Sequence, residues 1–135
     1  MDTNRFKFRA KRIDNNEFVY GFLCFIIRDV CRIYCNEEDK FYDCSTKTLG
    51  QCTGLKDKNG KFIYEGDIVF IECEEDNAEI KWEEDCAAFS ILTKDTCWCF
   101  DSFYSYELEV IGNIHENKEL LRSYKLWQIK KKELK

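Results

Sequence analysis

Gln51-Cys52-Thr53-Gly54-Leu55-Lys56-Asp57-Lys58-Asn59-Gly60-Lys61-Phe62-Ile63-Tyr64-Glu65-Gly66-Asp67-Ile68-Val69 decides the fold class of this chain. Two turn signals lie close together in it. Asn59-Gly60 suits a tight turn with positive φ, and Glu65-Gly66-Asp67 suits another. Phe62-Ile63-Tyr64 sits between them, and Ile68-Val69-Phe70-Ile71 follows as a β-branched and aromatic run. The stretch reads as the hub of a small β domain. Within it, Asp67 after Gly66 is expected to stabilise the turn through its side chain, and Tyr64 is expected to pack.

Working outward toward the N-terminus, Arg5-Phe6-Lys7-Phe8-Arg9-Ala10-Lys11 alternates charge and apolar groups. As a strand it places Phe6, Phe8 and Ala10 inward and Arg5, Lys7, Arg9 and Lys11 outward. The outer row is a candidate contact for phosphates; the plainer reading is a solvated face that protects a sheet edge. Asp14 to Glu17 reads as a turn, and Phe18 to Ile27 as a buried strand with Gly21 as a bulge or bend. Arg28-Asp29 turns the chain into a strand over Val30 to Cys35, residues 41–48 carry no clear period, and Leu49 to Leu55 returns to extended structure.

On the other side of the hub, a strand from Ile68 to Cys73 is expected to end in a hairpin tip at Glu74-Glu75-Asp76-Asn77. Ala78 to Trp82 returns from that tip, and Glu83-Glu84-Asp85 makes a second acidic tip. Ala87 to Leu92, Cys97 to Phe100 and Glu107 to Ile111 complete the series. Short strands separated by frequent turns predict a mainly β fold, a small barrel or a sandwich. Asn117 is the expected N-cap of a C-terminal helix, with Leu120, Leu121, Tyr124 and Trp127 at helical spacing and Lys130, Lys131, Lys132 and Lys135 in its last turns. The predicted organisation is thus a β domain over 1–116 and a basic helix over 117–135.

A chain of 135 residues is long enough for one domain with a proper core. The 21 aromatics among 11 Phe, 7 Tyr and 3 Trp, with no proline, lean toward sheet. The longest apolar run, Phe18 to Ile27, is about half of what a membrane span needs, so no membrane association is expected. Asp2, Arg5, Lys7 and Arg9 leave no apolar signal core, which makes the cytosol the expected location. The nine cysteines are then read as reduced, mostly buried small hydrophobes. None forms a C-x-x-C pair. Cys97-Trp98-Cys99 would put two thiols on one face of a strand, while a zinc site built from distant cysteines and His115 lacks the paired spacing such sites show.

Charge is divided unevenly. Residues 1–60 carry 11 Lys/Arg against 9 Asp/Glu, residues 61–117 carry 3 against 15, and residues 118–135 carry 7 against 2. An acidic middle between basic flanks sets partner choice and encounter rate rather than fold, and it permits self-association.

Thr53-Gly54-Leu55-Lys56-Asp57-Lys58-Asn59-Gly60-Lys61, followed by Ile63-Tyr64-Glu65-Gly66-Asp67-Ile68-Val69, resembles the signature of the YopX family of phage and prophage proteins. Phe6 to Ala10, Ile80-Lys81-Trp82, Glu109 to Asn117 and Glu119-Leu120-Leu121 resemble its flanking segments in the same order, so the likeness covers most of residues 5–121. Cys52 departs from it, standing where an aromatic residue is expected, and so does the basic extension past Leu121. The resemblance implies an SH3-like barrel of phage origin, an oligomer, and the cytoplasm of a bacterial host. It implies no biochemical activity.

No catalytic constellation stands out. His115 has no nucleophile motif beside it, and the glycines are spaced as turns rather than as a phosphate cradle. The expectation is therefore a protein that is not an enzyme and holds no cofactor and no metal. The leading candidate site is the acidic set Glu72, Glu74, Glu75, Asp76, Glu79, Glu83, Glu84 and Asp85. These carboxylates lack the spacing of a calcium loop but suit imitation of a nucleic-acid backbone in the basic groove of a partner. The simpler alternative is a solubilising surface. Together these readings point to a phage-encoded accessory protein that binds and inhibits a host protein, either a nucleic-acid-handling factor or a defence factor of the CRISPR type. The alternative is a nucleic-acid-binding module using Arg5, Lys7, Arg9, Lys130, Lys131 and Lys132. A third reading, an enzyme or thiol-dependent metalloprotein, rests on the cysteines and His115.

Overall fold

A computed structural model of the chain describes residues 3–93, 96–100 and 103–121. The chain divides into two compact units, Met1–Leu55 and Lys56–Lys135. Among the described residues, eleven strands lie in two antiparallel sheets.

The first unit contains β1 (Lys7–Lys11), β2 (Phe18–Ile27), β3 (Val30–Cys35), β4 (Lys40–Ser45) and β5 (Gly50–Lys56), in the spatial order β4-β3-β2-β1-β5. Ala10, Cys31, Ile33 and Cys44 form its buried core, with Phe8, Val19, Leu23, Tyr42 and Leu49 packed around them. Burial raises the Cys31 thiol above its ordinary pKa and pushes Cys44 up to about 12, so both are neutral small hydrophobes there. The irregularity in β2 falls at Cys24, between Leu23 and Phe25, and not at Gly21. Gly21 has a different role: a Cβ there would meet the Tyr34 carbonyl oxygen at 1.9 Å, so its bare backbone lets β2 and β3 approach. Residues 41–48, patternless in the sequence, supply most of β4 and a 3₁₀ turn at Thr46–Thr48.

Alternation along β1 holds for Phe8 and Ala10 but not for their neighbours. Arg9 and Lys11, expected in solvent, are 3% and 7% exposed. The cationic ends of both stand over the Phe18 ring, at 4.9 Å for Arg9 and 5.4 Å for Lys11. A cation over a ring face gains electrostatic stabilisation that an alternation rule does not foresee.

The second unit holds β6 (Phe62–Tyr64), β7 (Asp67–Ile71), β8 (Asp76–Glu83), β9 (Ala88–Leu92), β10 (Cys97–Cys99) and β11 (Leu108–Asn113). Five of these pair in the order β10-β9-β8-β7-β11. Ile63, Val69, Ile71, Ala78, Ile80, Ile91 and Leu108 make its core, ringed by Phe89, Trp98, Phe100, Phe103 and Val110.

The mainly β expectation agrees with this architecture; the small SH3-like barrel with a C-terminal helix does not. The strands form two sheets with separate cores, and every helical turn among the described residues is a 3₁₀ turn of three or four residues. Short strands punctuated by turns are the same signal for one closed barrel as for two sheets, because strand partners are non-local. At the expected helix start, the Asn117 side chain does not cap forward. Its Oδ1 accepts the Asn113 N–H at 3.2 Å, and the Leu120 N–H returns to the Asn117 carbonyl at 2.9 Å as an i→i+3 bond. Lys118–Leu121 is accordingly a single 3₁₀ turn. The rest of the expected helix, including Lys130, Lys131 and Lys132, lies outside the described residues.

Candidate partner-binding surface

Two kinds of carboxylate occupy the second unit. The first kind holds the hub. Asp57, 6% exposed, accepts the Asn59 and Lys61 N–H groups on Oδ1 and the Val110 N–H on Oδ2, each at 2.9 Å. Burial opposes ionisation of Asp57, but the donors from Val110, Lys61 and Asn59 outweigh it and hold its pKa below the ordinary carboxylate value. The adjacent Lys58 N–H donates to the Leu108 carbonyl at 3.0 Å, and Lys58 Nζ lies 3.3 Å from Glu109. The loop therefore covers the outer side of β11, a terminal strand that would otherwise present bare backbone. Asp67, 1% exposed, accepts the Tyr64 N–H at 2.8 Å across the second turn, the role expected of it, and Tyr64 is buried. Positive φ at Gly60 (81°) and Gly66 (91°) matches both turn signals.

The second kind is the acidic set. Glu72 and Glu74 belong to a 3₁₀ turn, and Glu75 follows in the left-handed region at φ 50°, so residues 72–75 close the β7–β8 hairpin. Glu84 and Asp85 lie in the turn that closes β8 onto β9, where Ala87 has φ 50° and donates its N–H to the Glu84 carbonyl. These turns are at opposite ends of β8, whose eight residues place them roughly 23 Å apart. The strand expected between the two tips, Ala78 to Trp82, lies within β8 and separates them. Among the described residues no group of three or more His, Cys, Asp or Glu is gathered to hold a metal ion.

Along β8, Ala78 and Ile80 enter the core, so Glu79, Lys81 and Glu83 share the opposite face. Glu83 accepts the Ser90 hydroxyl at 3.3 Å, and Asp76 accepts the Asn77 N–H at 2.8 Å. Glu79 is half-buried. Burial raises its pKa, against the opposing pull of Lys81 and Lys118. The Lys118–Leu121 turn is tied to this strand by the Asn77 amide, which donates to the Leu120 carbonyl at 3.1 Å. The side chains of Glu72, Glu74, Glu75, Glu84 and Asp85 are exposed and have no hydrogen-bond or ion-pair partner among the described residues. Those five are the available part of the predicted set; Asp76, Glu79 and Glu83 are engaged by the fold.

The basic candidates divide similarly. Arg5 is exposed, with its guanidinium 4.9 Å from the Phe6 ring centre; Lys7 is half-buried and Arg9 is interior. His115 sits in a turn where Asn113 Oδ1 accepts the N–H groups of His115 and Glu116 at 2.9 and 3.0 Å. The sequence reading missed the reach of Asp57 to Val110. Its local half was visible, since aspartate opening a D-K-N-G turn is an expected acceptor, whereas its distant half was not.

Fold and hub together define a class: a mainly β protein of two units, with a double-turn loop beginning the second and sealing the edge of that unit's sheet. Among curated proteins none matches the chain. A family model described as YopX protein matches residues 7–122, and the chain belongs to the YopX family of phage and prophage proteins. It is also similar to the crystal structure of protein yopX from Bacillus subtilis. The two are 24% identical with a TM-score of 0.53, over 90% of this chain and 99% of that one, a likeness of fold. No helix among the described residues is long and apolar enough to cross a membrane.

Proposed function

We propose that this chain acts by binding a protein of the bacterial host, and that its target carries a basic groove of the kind that handles nucleic acid, including the effectors of defence systems. The observation that carries the reading is the set of five exposed carboxylates without partners among the described residues, Glu72, Glu74, Glu75, Glu84 and Asp85, at the two ends of one strand. Unneutralised charge of one sign accelerates encounter with an oppositely charged surface and selects against acidic partners. Two acidic ends about 23 Å apart suit an elongated groove rather than a point site. The competing nucleic-acid reading of the N-terminal strand is weakened because Arg9 is interior and only Arg5 of that row is exposed.

The test is affinity capture from prophage-carrying cells with the full chain and with a variant carrying Glu74→Lys, Glu75→Lys, Glu84→Lys and Asp85→Lys. A partner retained by the parent chain, lost by the variant and released by rising salt is the expected result. A partner held equally by both, or no partner at all, overturns the reading.

A further inference from the structure

Cys97 and Cys99 lie outside the surface described above. Their strand, β10, is a terminal strand of the second unit's sheet and pairs with β9 so that Trp98 stands opposite Ile91, Cys97 opposite Leu92 and Cys99 opposite Ser90. Ile91 belongs to the core. Trp98 packs against that core and meets the Phe103 ring edge-on at 5.2 Å. Anchoring Trp98 inward fixes the alternation, so both thiols emerge on the other face, and both are exposed. The remaining exposed thiols, Cys24, Cys73 and Cys86, have no cysteine two residues away.

Side chains two positions apart on a strand start roughly 6.5–7 Å from one another. Leaning the two Cβ–Sγ bonds toward each other brings the sulfurs to roughly 4.6 Å, twice a metal–thiolate bond of about 2.3 Å. That is the span of a linear sulfur–metal–sulfur unit. Zinc takes four ligands in its structural sites, and no cluster of three or more donors is assembled among the described residues. Two thiolates alone satisfy a soft, monovalent, closed-shell ion, and thiolate ligands select copper(I) over harder cations.

We propose that Cys97 and Cys99 form a two-coordinate thiolate site for a soft monovalent metal cation, copper(I). On binding, each thiol releases its proton to solvent, two copper–sulfur bonds form, and the ligands that brought the ion depart. No electron is transferred. Two neutral thiols and one cation become a site of charge −1 with two protons released, so affinity rises with pH. The acidic-surface reading plays no part in this site, and either stands or fails without the other.

The experiment uses the full chain, reduced and without oxygen, titrated with copper(I) supplied as its acetonitrile complex against the chromophoric chelator bathocuproine disulfonate. One ion retained per chain is expected. Cys97→Ser and Cys99→Ser should each weaken retention by at least about 100-fold, since loss of even an outer-shell partner costs 10–100-fold. A Cys24→Ser, Cys73→Ser, Cys86→Ser triple variant should keep it. X-ray absorption on the loaded parent chain should count two sulfur neighbours, a reading that requires no variant to fold. Retention undiminished in the Cys97→Ser, Cys99→Ser double variant overturns the proposal. So does a parent chain that yields all its copper, or one whose copper has three or more sulfur neighbours.

Discussion

The Asp57–Asp67 loop and the turns at the two ends of β8 use the same side-chain chemistry for opposite purposes. Asp57 and Asp67 are almost completely buried, and their oxygens receive backbone N–H groups from Asn59, Lys61, Val110 and Tyr64. Glu72, Glu74, Glu75, Glu84 and Asp85 face water without such donors among the described residues. A buried carboxylate survives only when donors replace its lost hydration, so each one marks a place where the fold is tied. An exposed one without partners contributes little to stability and leaves its charge for other molecules. Glu79 lies between the two cases, half-buried without enough compensation to keep its pKa down.

Removing an acceptor is the strongest way to break this contrast. Asp57→Ala leaves the N–H groups of Asn59, Lys61 and Val110 without their acceptor, and each stranded donor costs roughly 1–3 kcal/mol. A loss of about 3 kcal/mol or more is expected in urea unfolding monitored by tryptophan fluorescence. The pH dependence has a definite sign. Because the folded-state pKa of Asp57 is depressed, its stabilisation is fully present above the ordinary carboxylate value and disappears as pH falls through the folded-state value. Denaturation midpoints should therefore drop more steeply with acid in the parent chain than in Asp57→Asn.

Glu79→Gln should act in the opposite direction and more weakly. A raised carboxyl pKa means that the folded chain binds the proton more tightly than the unfolded chain. The ionised group is thus a burden above its folded-state pKa, relieved as pH falls toward the unfolded value. The substitution should raise the melting temperature at neutral pH, with the gain vanishing in acid, as followed by calorimetry across a pH series. A melting temperature lowered at neutral pH would place Glu79 among the structural carboxylates.

The smallest effect belongs to the tips. Changing Glu74, Glu75, Glu84 and Asp85 to lysine should alter stability by no more than about 0.5 kcal/mol per site, as for ordinary surface positions. Unfolding of the same fourfold variant used for capture checks this, and a large loss would show that the tips hold structure after all.

How much of this could be read from the chain alone depended on range. The Asn59-Gly60 and Gly66-Asp67 turns are local, and local turn chemistry names its residues. The strands Phe18–Ile27 and Val30–Cys35 also fall where apolar runs and the Arg28-Asp29 turn put them, although the first, expected to be buried, leaves Phe25, Ile26 and Ile27 exposed. Pairing is not local. Nothing near Asp57 points to Val110. Arg9 and Lys11 obey the alternation of β1 in position but not in exposure, because the Phe18 ring on the neighbouring strand receives their charge. The Asn117 helix start failed for a related reason: its side chain serves the turn behind it.

The bond from Val110 to Asp57 also has a place in time. It joins residues 53 positions apart. At a synthesis rate of about 5–20 residues per second, Val110 is added roughly 3–10 s after Asp57. All of Met1–Leu55 precedes both of them, so the first unit has its complete set of strands during that interval, whereas the loop is still missing one of its three donors. A nascent chain released before Val110 would carry the family signature intact and leave it unfinished.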